Sequence, residues 1–228
     1  MFLHGRAATP QIEAQRDGFT AVVGPAILVY PAGYDQSWNA GVCCGTAQGD
    51  NVDDVAFLVA VIHDVQASQP DASPGKVFLA GYSNGGKMAY SMVCAQPQLF
   101  AGVASIGAVA ASTCAQGPVP LLEVANTGDP ELSIDGRRPA PTYGSFTDLA
   151  VDAQVAKQRG IDACSPNSVA HTEGDASITT WSDCAPGMEV LLALYQRGDH
   201  ALDPGNPSTP SVARLVWSFF AGLPGFPR

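Results

Sequence analysis

The sequence predicts an α/β fold in which a mostly parallel central sheet is flanked by helices. Short runs of apolar and β-branched residues alternate along the chain with stretches in which apolar residues recur at helical spacing. The chain has 228 residues, 46% of them hydrophobic and 14% charged, and this favours one large core over a disordered or coiled-coil chain. We therefore expect residues 1–228 to form a single domain.

Five apolar runs predict the strands. Residues 26–30 form a run that reads as a buried strand ended by Pro31, and residues 76–82 form a second run that leads directly into a helix. The other predicted strands are 102–107, 119–125 and 189–195. Residues 1–5 are typical of a strand end that enters a loop, so we expect either a leader and one or two edge strands upstream or a start assigned late.

Helical spacing predicts the elements that connect these strands. Residues 50–65 carry an apolar stripe, and Asp53 and Asp54 lie in the first turn, where the helix dipole favours acidic side chains. A second predicted helix begins at Ser83, and two more cover residues 146–158 and 211–220. Glycine, proline and aspartate concentrate between positions 126 and 143, which predicts a long loop.

The charge balance excludes several classes of partner. The chain has 21 acidic and 11 basic residues, a net charge of −10, so its surface repels nucleic acid and anionic lipid. No apolar run reaches the 18 or so residues that a membrane span needs. We expect neither a nucleic-acid partner nor a membrane span.

Six cysteines favour an oxidising, extracytoplasmic compartment and disulfide bonds over a metal site, because none forms a Cys-x-x-Cys pair with histidines nearby. Equal gaps of 20 residues suggest the pairs Cys94 with Cys114 and Cys164 with Cys184, although six cysteines allow about 15 pairings. The adjacent Cys43 and Cys44 would then either bridge each other or stay as free thiols. A bridge there is strained because neighbouring Cα atoms lie only about 3.8 Å apart.

A motif for a serine nucleophile lies between the predicted strand 76–82 and the helix after it. Residues 81–86 read Gly-Tyr-Ser-Asn-Gly-Gly and match the nucleophile elbow G-x-S-x-G. So sharp a turn raises the hydroxyl of Ser83 above the sheet, and its glycines avoid collisions with the flanking elements. The backbone N–H of Asn84, at the helix start, would face a developing oxyanion.

A serine nucleophile needs a base, and the chain has four histidines. His200 follows the predicted strand 189–195 in a loop at the carboxyl edge of the sheet, where catalytic groups collect in such folds. His63 lies within a helix beside its buried face, and His171 lies in a polar stretch with no strand before it. His4 precedes Gly5 in the loop after an early strand. His200 is therefore the predicted base.

The third catalytic group must be a carboxylate that orients the histidine. In α/β-hydrolases the order along the chain is serine, acid, histidine. Asp129 fits this order and directly follows the predicted strand 119–125, whereas Asp135, Asp148 and Asp152 fit the order alone. Asp129 is the predicted acid, with Asp135 as the next candidate.

Six short segments together resemble a known family. The chain is similar over nearly its whole length to secreted polyhydroxybutyrate depolymerase-like esterases, a group that includes feruloyl and acetylxylan esterases of carbohydrate esterase family one. The segments that carry the resemblance are, in order, 3–5 (LHG), 38–41 (WNAG), 52–55 (VDDV), 81–86 (GYSNGG), 127–129 (TGD) and 198–200 (GDH).

The resemblance implies an α/β-hydrolase fold, with Ser83, Asp129 and His200 as the catalytic triad and with secretion of the protein. It also implies that His4 and Gly5 belong to an oxyanion loop. A backbone N–H in that loop, assigned to Arg6, would then join the N–H of Asn84 in binding the oxyanion. Family members carry more sequence before the His-Gly element than this chain does.

These observations predict a serine esterase that forms an acyl-enzyme and needs no metal or organic cofactor. Its expected substrate is a small ester or one carried on a polysaccharide or polyester, of feruloyl, acetylxylan or hydroxybutyrate type. The alternatives are a cutinase-like or polyester hydrolase and a non-catalytic polymer-binding relative of the same fold. The oligomeric state stays open.

Three more side chains bear on the site. Trp38 and Trp181 are predicted to lie in loops, where a tryptophan either lines an acyl or aryl pocket or pins the loop. Lys87 lies one helical turn after Ser83, and we expect it on a solvated helix rather than paired with the serine.

Overall fold

The computed structural model describes residues 1–41, 43–72, 77–110, 115–137, 142–143, 146–224 and 226. Seven of its strands form one sheet in the spatial order β1-β2-β3-β4-β9-β8-β7, and β5 pairs with β6. The strands are β1 (Phe2–Leu3), β2 (Val77–Tyr82), β3 (Phe100–Ile106), β4 (Leu121–Asn126), β5 (Thr142–Tyr143), β6 (Phe146–Thr147), β7 (Val169–Glu173), β8 (Ala176–Trp181) and β9 (Val190–Tyr195).

Helices cover both faces of this sheet. They are α1 (Pro10–Arg16), α2 (Thr46–Gly49), α3 (Asp54–Ser68), α4 (Asn84–Ala95), α5 (Val151–Ile161) and α6 (Val212–Gly222), with 3₁₀ turns at Phe19–Ala21, Tyr34–Gln36 and Pro97–Leu99. None of them, within the described residues, combines the length and apolar character that crossing a bilayer requires.

Strands β1, β2, β3, β4 and β9 run parallel, and β8 and β7 extend the sheet beyond β9 as an antiparallel hairpin. The predicted α/β class, a mostly parallel sheet flanked by helices, is confirmed. The carboxyl ends of β2, β4 and β9 meet at one edge of the sheet, so residues that follow these strands lie close together.

The apolar residues form a core on each face of the sheet. On one face, α3 and α4 bury Leu58, Ile62 and Met88 against β2 and β3. On the other face, α6 packs Val216 and Phe219 against the sheet. The side chains that follow the strands therefore project from a rigid support.

The prediction of a strand at 26–30 is wrong. Ile27 is 40% exposed, and although the N–H of Phe2 donates to the carbonyl of Val29 at 2.9 Å, no ladder forms there in the described part of the chain. An apolar run indicates affinity for a core, but a strand also needs a partner along its whole length.

The hairpin of β7 and β8 was not predicted from the sequence. All five residues of β7 are exposed, including His171, so the strand lacks the apolar alternation that marks a half-buried strand. Among the described residues, its pairing partner is β8, which fixes its extended conformation.

Disulfide bonds join Cys164 to Cys184 and Cys43 to Cys44, so the adjacent pair is bridged rather than free. Cys94 is also disulfide-bonded, and its predicted partner, Cys114, lies outside the described residues. Such bonds fit an oxidising compartment.

Candidate active site

Ser83 stands alone between β2 and α4, in the turn that the elbow motif predicts. Its backbone has φ 53° and ψ −119°, a conformation that costs a non-glycine residue free energy and recurs at functional positions. A Cβ at Gly81 would overlap the carbonyl oxygen of Gly85, and a Cβ at Gly85 would overlap that of Leu3. Only glycine therefore fits at either position.

Three side chains from the ends of β2, β4 and β9 form a continuous hydrogen-bonded line. Nε2 of His200 lies 2.8 Å from Oγ of Ser83, and Nδ1 lies 2.7 Å from Oδ2 of Asp129. Because the Asp129 carboxylate can only accept a hydrogen bond, Nδ1 carries the proton and Nε2 is free to accept one from Ser83. The other oxygen of Asp129 accepts the N–H of Glu131 at 2.7 Å.

The environment tunes His200 toward greater basicity. Burial alone would lower its pKa, but the hydrogen bond from Nδ1 to Asp129 and the negative charges of Asp129 and Glu131 together raise the pKa above the ordinary 6.5. The carboxylate thus both orients the ring and stabilises its cationic form.

The loop that carries His200 is held by two side chains that the sequence analysis did not identify. The amide of Asn126 donates to the carbonyls of Asp199 and Ala201 at 2.8 and 3.0 Å. The hydroxyl of Tyr82 donates to the carbonyl of His200 at 2.6 Å. Both residues adjoin predicted catalytic segments, which is the only sequence signal that they offer.

His4 has a structural role beside the nucleophile elbow. It is 1% exposed, and burial lowers its pKa, so the ring is neutral. Nε2 accepts the N–H of Gly33 at 3.0 Å, which leaves Nδ1 to donate to the carbonyl of Gly5 at 2.8 Å. His4 therefore shapes the predicted oxyanion loop.

The two backbone N–H groups predicted to bind an oxyanion are those of Asn84 and Arg6. Asn84 is the first residue of α4, where N–H groups have no acceptor within the helix. In the loop after β1, Gly5 donates its N–H to Glu13 at 3.1 Å and Ala7 donates to Gln36 at 2.9 Å. The N–H of Arg6, between them, meets no acceptor in the described chain.

Trp38 is buried, and of the two alternatives that the sequence left open its contacts favour the pinning of a loop over the lining of a substrate pocket. It is fully buried and its ring packs between His4 and Phe57. Asn84 binds its backbone in both directions, since Oδ1 accepts the Trp38 N–H at 2.7 Å and Nδ2 donates to the Trp38 carbonyl at 3.0 Å. Trp38 therefore pins a loop against the elbow.

Trp181 also lies elsewhere than predicted. It is the last residue of β8 and pairs with Val190, whereas Tyr195, at the catalytic end of β9, pairs with the first residue of β8. The guanidinium of Arg159 covers its ring at 4.4 Å. The side chain thus lies at the opposite end of the sheet from Ser83.

The other titratable candidates lie apart from Ser83. Asp135 pairs with Arg137 on the surface at 3.2 Å. Asp148 forms a buried ion pair of 2.5 Å with Lys87, so the expectation of a solvated Lys87 is wrong. His63 is exposed on α3, as His171 is on β7, and Asp152 lies in the first turn of α5.

An apolar cavity of about 510 Å³ lies away from the candidate triad, against residues 26–29 of the segment that was wrongly predicted to be a strand. Its lining includes Phe2, Val29, Phe78 and Trp217, but not Ser83, Asp129 or His200. Cavity volume alone therefore does not identify the site.

The chain is similar in sequence to proteins named feruloyl esterases. The chain is 30% identical over 199 residues to feruloyl esterase C of Emericella nidulans, which covers 86% of this chain and 65% of that protein. It is 25% identical over 192 residues to feruloyl esterase B of Piromyces equi, covering 81% and 33%. The chain spans only part of the length of three other curated relatives, at 42%, 66% and 66%.

A solved structure supports the same fold. Acetyl xylan esterase from Aspergillus awamori superposes with a TM-score of 0.60 at 12% identity, covering 96% of this chain and 87% of that one. No protein-family model matches the chain. The predicted α/β-hydrolase fold is confirmed, and the resemblance to feruloyl esterases is supported by the sequence relatives.

Proposed function

We propose that this chain is a serine carboxylic ester hydrolase in which Ser83 is the nucleophile, His200 the base and Asp129 the acid. The observation that carries this proposal is the hydrogen-bonded line from Asp129 through His200 to Ser83, with distances of 2.7 and 2.8 Å. The two N–H groups of Asn84 and Arg6 support it, because acyl transfer needs donors where negative charge develops.

In the first half of the reaction, Oγ of Ser83 attacks the ester carbonyl carbon while Nε2 of His200 takes the hydroxyl proton. The carbonyl oxygen becomes an oxyanion, which accepts hydrogen bonds from the N–H groups of Asn84 and Arg6. Asp129 stabilises the imidazolium of His200. The imidazolium then donates its proton to the leaving alkoxide, the C–O bond breaks, and an acyl-enzyme remains.

Water completes the cycle. Nε2 of His200 takes a proton from a water molecule as the water attacks the acyl-enzyme, and the same two N–H groups bind the second oxyanion. The proton returns to Oγ of Ser83 when the acid leaves. Every proton transfer uses a group that the chain itself supplies.

The names of the relatives point to feruloyl and acetylxylan esters. Those named feruloyl esterase and the structural neighbour named acetyl xylan esterase favour feruloyl or acetyl groups carried on a polysaccharide. The disulfide bonds favour action outside the cytoplasm. We extend the proposal accordingly to a secreted enzyme for such esters, with residues 1–228 as its catalytic domain.

Covalent labelling tests this proposal. A fluorophosphonate probe should modify the peptide that contains Ser83, as detected by mass spectrometry, and should leave a Ser83→Ala variant unmodified. The unlabelled enzyme should hydrolyse methyl ferulate or release acetate from acetylated xylan. A folded protein that resists the probe and hydrolyses none of these esters, nor hydroxybutyrate oligomers, would favour a non-catalytic, polymer-binding role.

The raised pKa of His200 predicts a pH dependence. Only the neutral ring accepts the proton of Ser83, so kcat/KM should fall as the pH drops through the pKa of His200. The charge of Glu131 raises this pKa, so Glu131→Gln should move the acidic limb of the kcat/KM profile to lower pH with little change in the plateau. Glu173→Gln, on the exposed strand β7, is the control that leaves the limb in place. A limb that stays fixed or moves upward in Glu131→Gln would contradict this account of His200.

A further inference from the structure

Glu13 is a buried carboxylate that no step of the proposed reaction uses. It lies on α1 and is 0% exposed. Its Oε1 accepts a hydrogen bond from Nε of Arg16 at 2.8 Å, and its Oε2 accepts from the other end of the same guanidinium at 2.8 Å. A buried charge is costly unless it is paired and hydrogen-bonded, and Arg16 supplies both the opposite charge and the hydrogen bonds.

The same carboxylate holds the oxyanion loop. Oε2 of Glu13 also accepts the backbone N–H of Gly5 at 3.1 Å, across eight residues of sequence. On the other side of Gly5, the carbonyl accepts hydrogen bonds from Nδ1 of His4 at 2.8 Å and from the N–H of Ala8 at 3.3 Å. Both peptide groups that flank the Gly5 Cα are thus anchored.

These anchors determine the direction of the neighbouring N–H. In a trans peptide the C=O and the following N–H point in opposite directions, so a fixed Gly5 carbonyl also fixes the Arg6 N–H. Glycine rotates more freely about its backbone bonds than any other residue. Without the hydrogen bond to Glu13, the Gly5 N–H would be released, and the contacts of the Gly5 carbonyl with His4 and Ala8 would alone hold the Gly5–Arg6 peptide, which would widen the range of orientations of the Arg6 N–H.

Arg16 extends this contact to the other side of the site. Its guanidinium lies 5.1 Å from the centre of the Tyr82 ring, and the Tyr82 hydroxyl donates to the carbonyl of His200. Glu13 thus connects the loop of the oxyanion donor with the loop of the base. These contacts run from the carboxylate to both halves of the candidate site.

We propose that Glu13 is a positioning residue, whose carboxylate holds Gly5 and thereby aims the Arg6 N–H at the oxyanion. This inference rests on the proposed esterase function. The hydrogen bond from the Arg6 N–H to the substrate oxygen is strongest where the negative charge on that oxygen is greatest, which is in the transition state rather than in the bound ester.

Glu13→Ala should therefore lower kcat by about 10- to 100-fold and change KM by no more than about twofold. The pH at which kcat/KM falls should remain that of the wild type, because His200 keeps its own partners. Affinity for a boronic acid, which forms a tetrahedral adduct on Ser83, should fall in parallel with kcat/KM. Initial rates on methyl ferulate or p-nitrophenyl acetate supply the measurement.

Two further variants separate positioning from general stability. Asp162 is another buried carboxylate that accepts a backbone N–H, that of Val119 at 3.1 Å, at the opposite end of the sheet. Asp162→Ala should lower the Tm yet leave kcat within about twofold. A double variant, Glu13→Gln with Arg16→Ala, keeps an acceptor for Gly5 without the ion pair and should restore most of the kcat lost in Glu13→Ala.

The outcomes distinguish this inference from the proposed function. If the wild type is labelled at Ser83 and Glu13→Ala keeps full kcat, the positioning role is overturned and the esterase stands. Equal kcat losses in Glu13→Ala and Asp162→Ala would reduce Glu13 to a stabilising residue. A wild type that neither reacts with the probe nor hydrolyses esters overturns the function itself.

Discussion

Replacing Ser83 with alanine is expected to lower kcat for ester hydrolysis by about 10⁵-fold or more. The reason is the loss of the only group in the proposed mechanism that bonds to the substrate carbonyl carbon. Removal of Oγ breaks one hydrogen bond of a half-buried side chain, so the fold should persist. Initial rates on p-nitrophenyl acetate, together with the thermal unfolding curve, measure both quantities.

Controls for this experiment lie on the same helix and in the same triad. Ser91→Ala removes a hydroxyl that donates to the carbonyl of Lys87 within α4, and it should leave kcat near that of the wild type. Because triad members act as a unit, the double variant Ser83→Ala with His200→Ala should be scarcely slower than Ser83→Ala alone. Activity of Ser83→Ala within tenfold of the wild type would sink the assignment of the nucleophile.

Replacing Asp129 with asparagine is expected to lower kcat by about 10⁴-fold, with the geometry retained. An asparagine NH₂ facing Nδ1 of His200 would favour the tautomer whose proton lies on Nε2. That tautomer cannot accept the proton of Ser83, so the nucleophile is not activated. The kcat of the folded variant measures the effect.

Two matched aspartates test whether the loss is specific. Asp135→Asn alters a surface ion pair and should change neither kcat nor stability appreciably. Asp148→Asn removes the negative charge that pairs with the buried Lys87 and should destabilise the fold by about 3 kcal/mol, with kcat of the folded fraction preserved. A larger kcat loss in Asp135→Asn than in Asp129→Asn would transfer the role of the acid to Asp135.

The sequence predicted most of the central sheet because its strands are buried on both faces. Strands β2, β3, β4 and β9 read as continuous apolar runs, and each is followed by turn residues. Strand β7 gave no such signal because it is exposed along its whole length. The apolar run at 26–30 led to a wrong strand prediction because apolar composition carries no information on a pairing partner.

The candidate site could be predicted where chemistry restricts the residue type and its place after a strand. Ser83, Asp129 and His200 met both conditions. Glu13, Tyr82 and Asn126 met neither, since their roles depend on contacts with loops distant in sequence, as in the 118 residues that separate Tyr82 from His200. Composition and spacing do not encode such contacts.

For Trp38, the sequence predicted the location of the residue but not its contacts. The sequence placed it correctly outside the regular elements but did not predict that its loop folds back over α4. Two hydrogen bonds between its backbone and the side chain of Asn84, 46 residues away, hold this loop so that the ring is buried.

That asparagine, Asn84, constrains how this protein could change over evolution. Its backbone N–H is a proposed oxyanion donor, while its side chain holds Trp38 and also donates to the carbonyl of Cys43 at 3.2 Å. A substitution that moves Trp38 or Cys43 would therefore disturb the residue proposed to stabilise negative charge. We expect mutations in the loop of Trp38 that alter the substrate range to lower turnover, unless a second substitution at position 84 compensates for them.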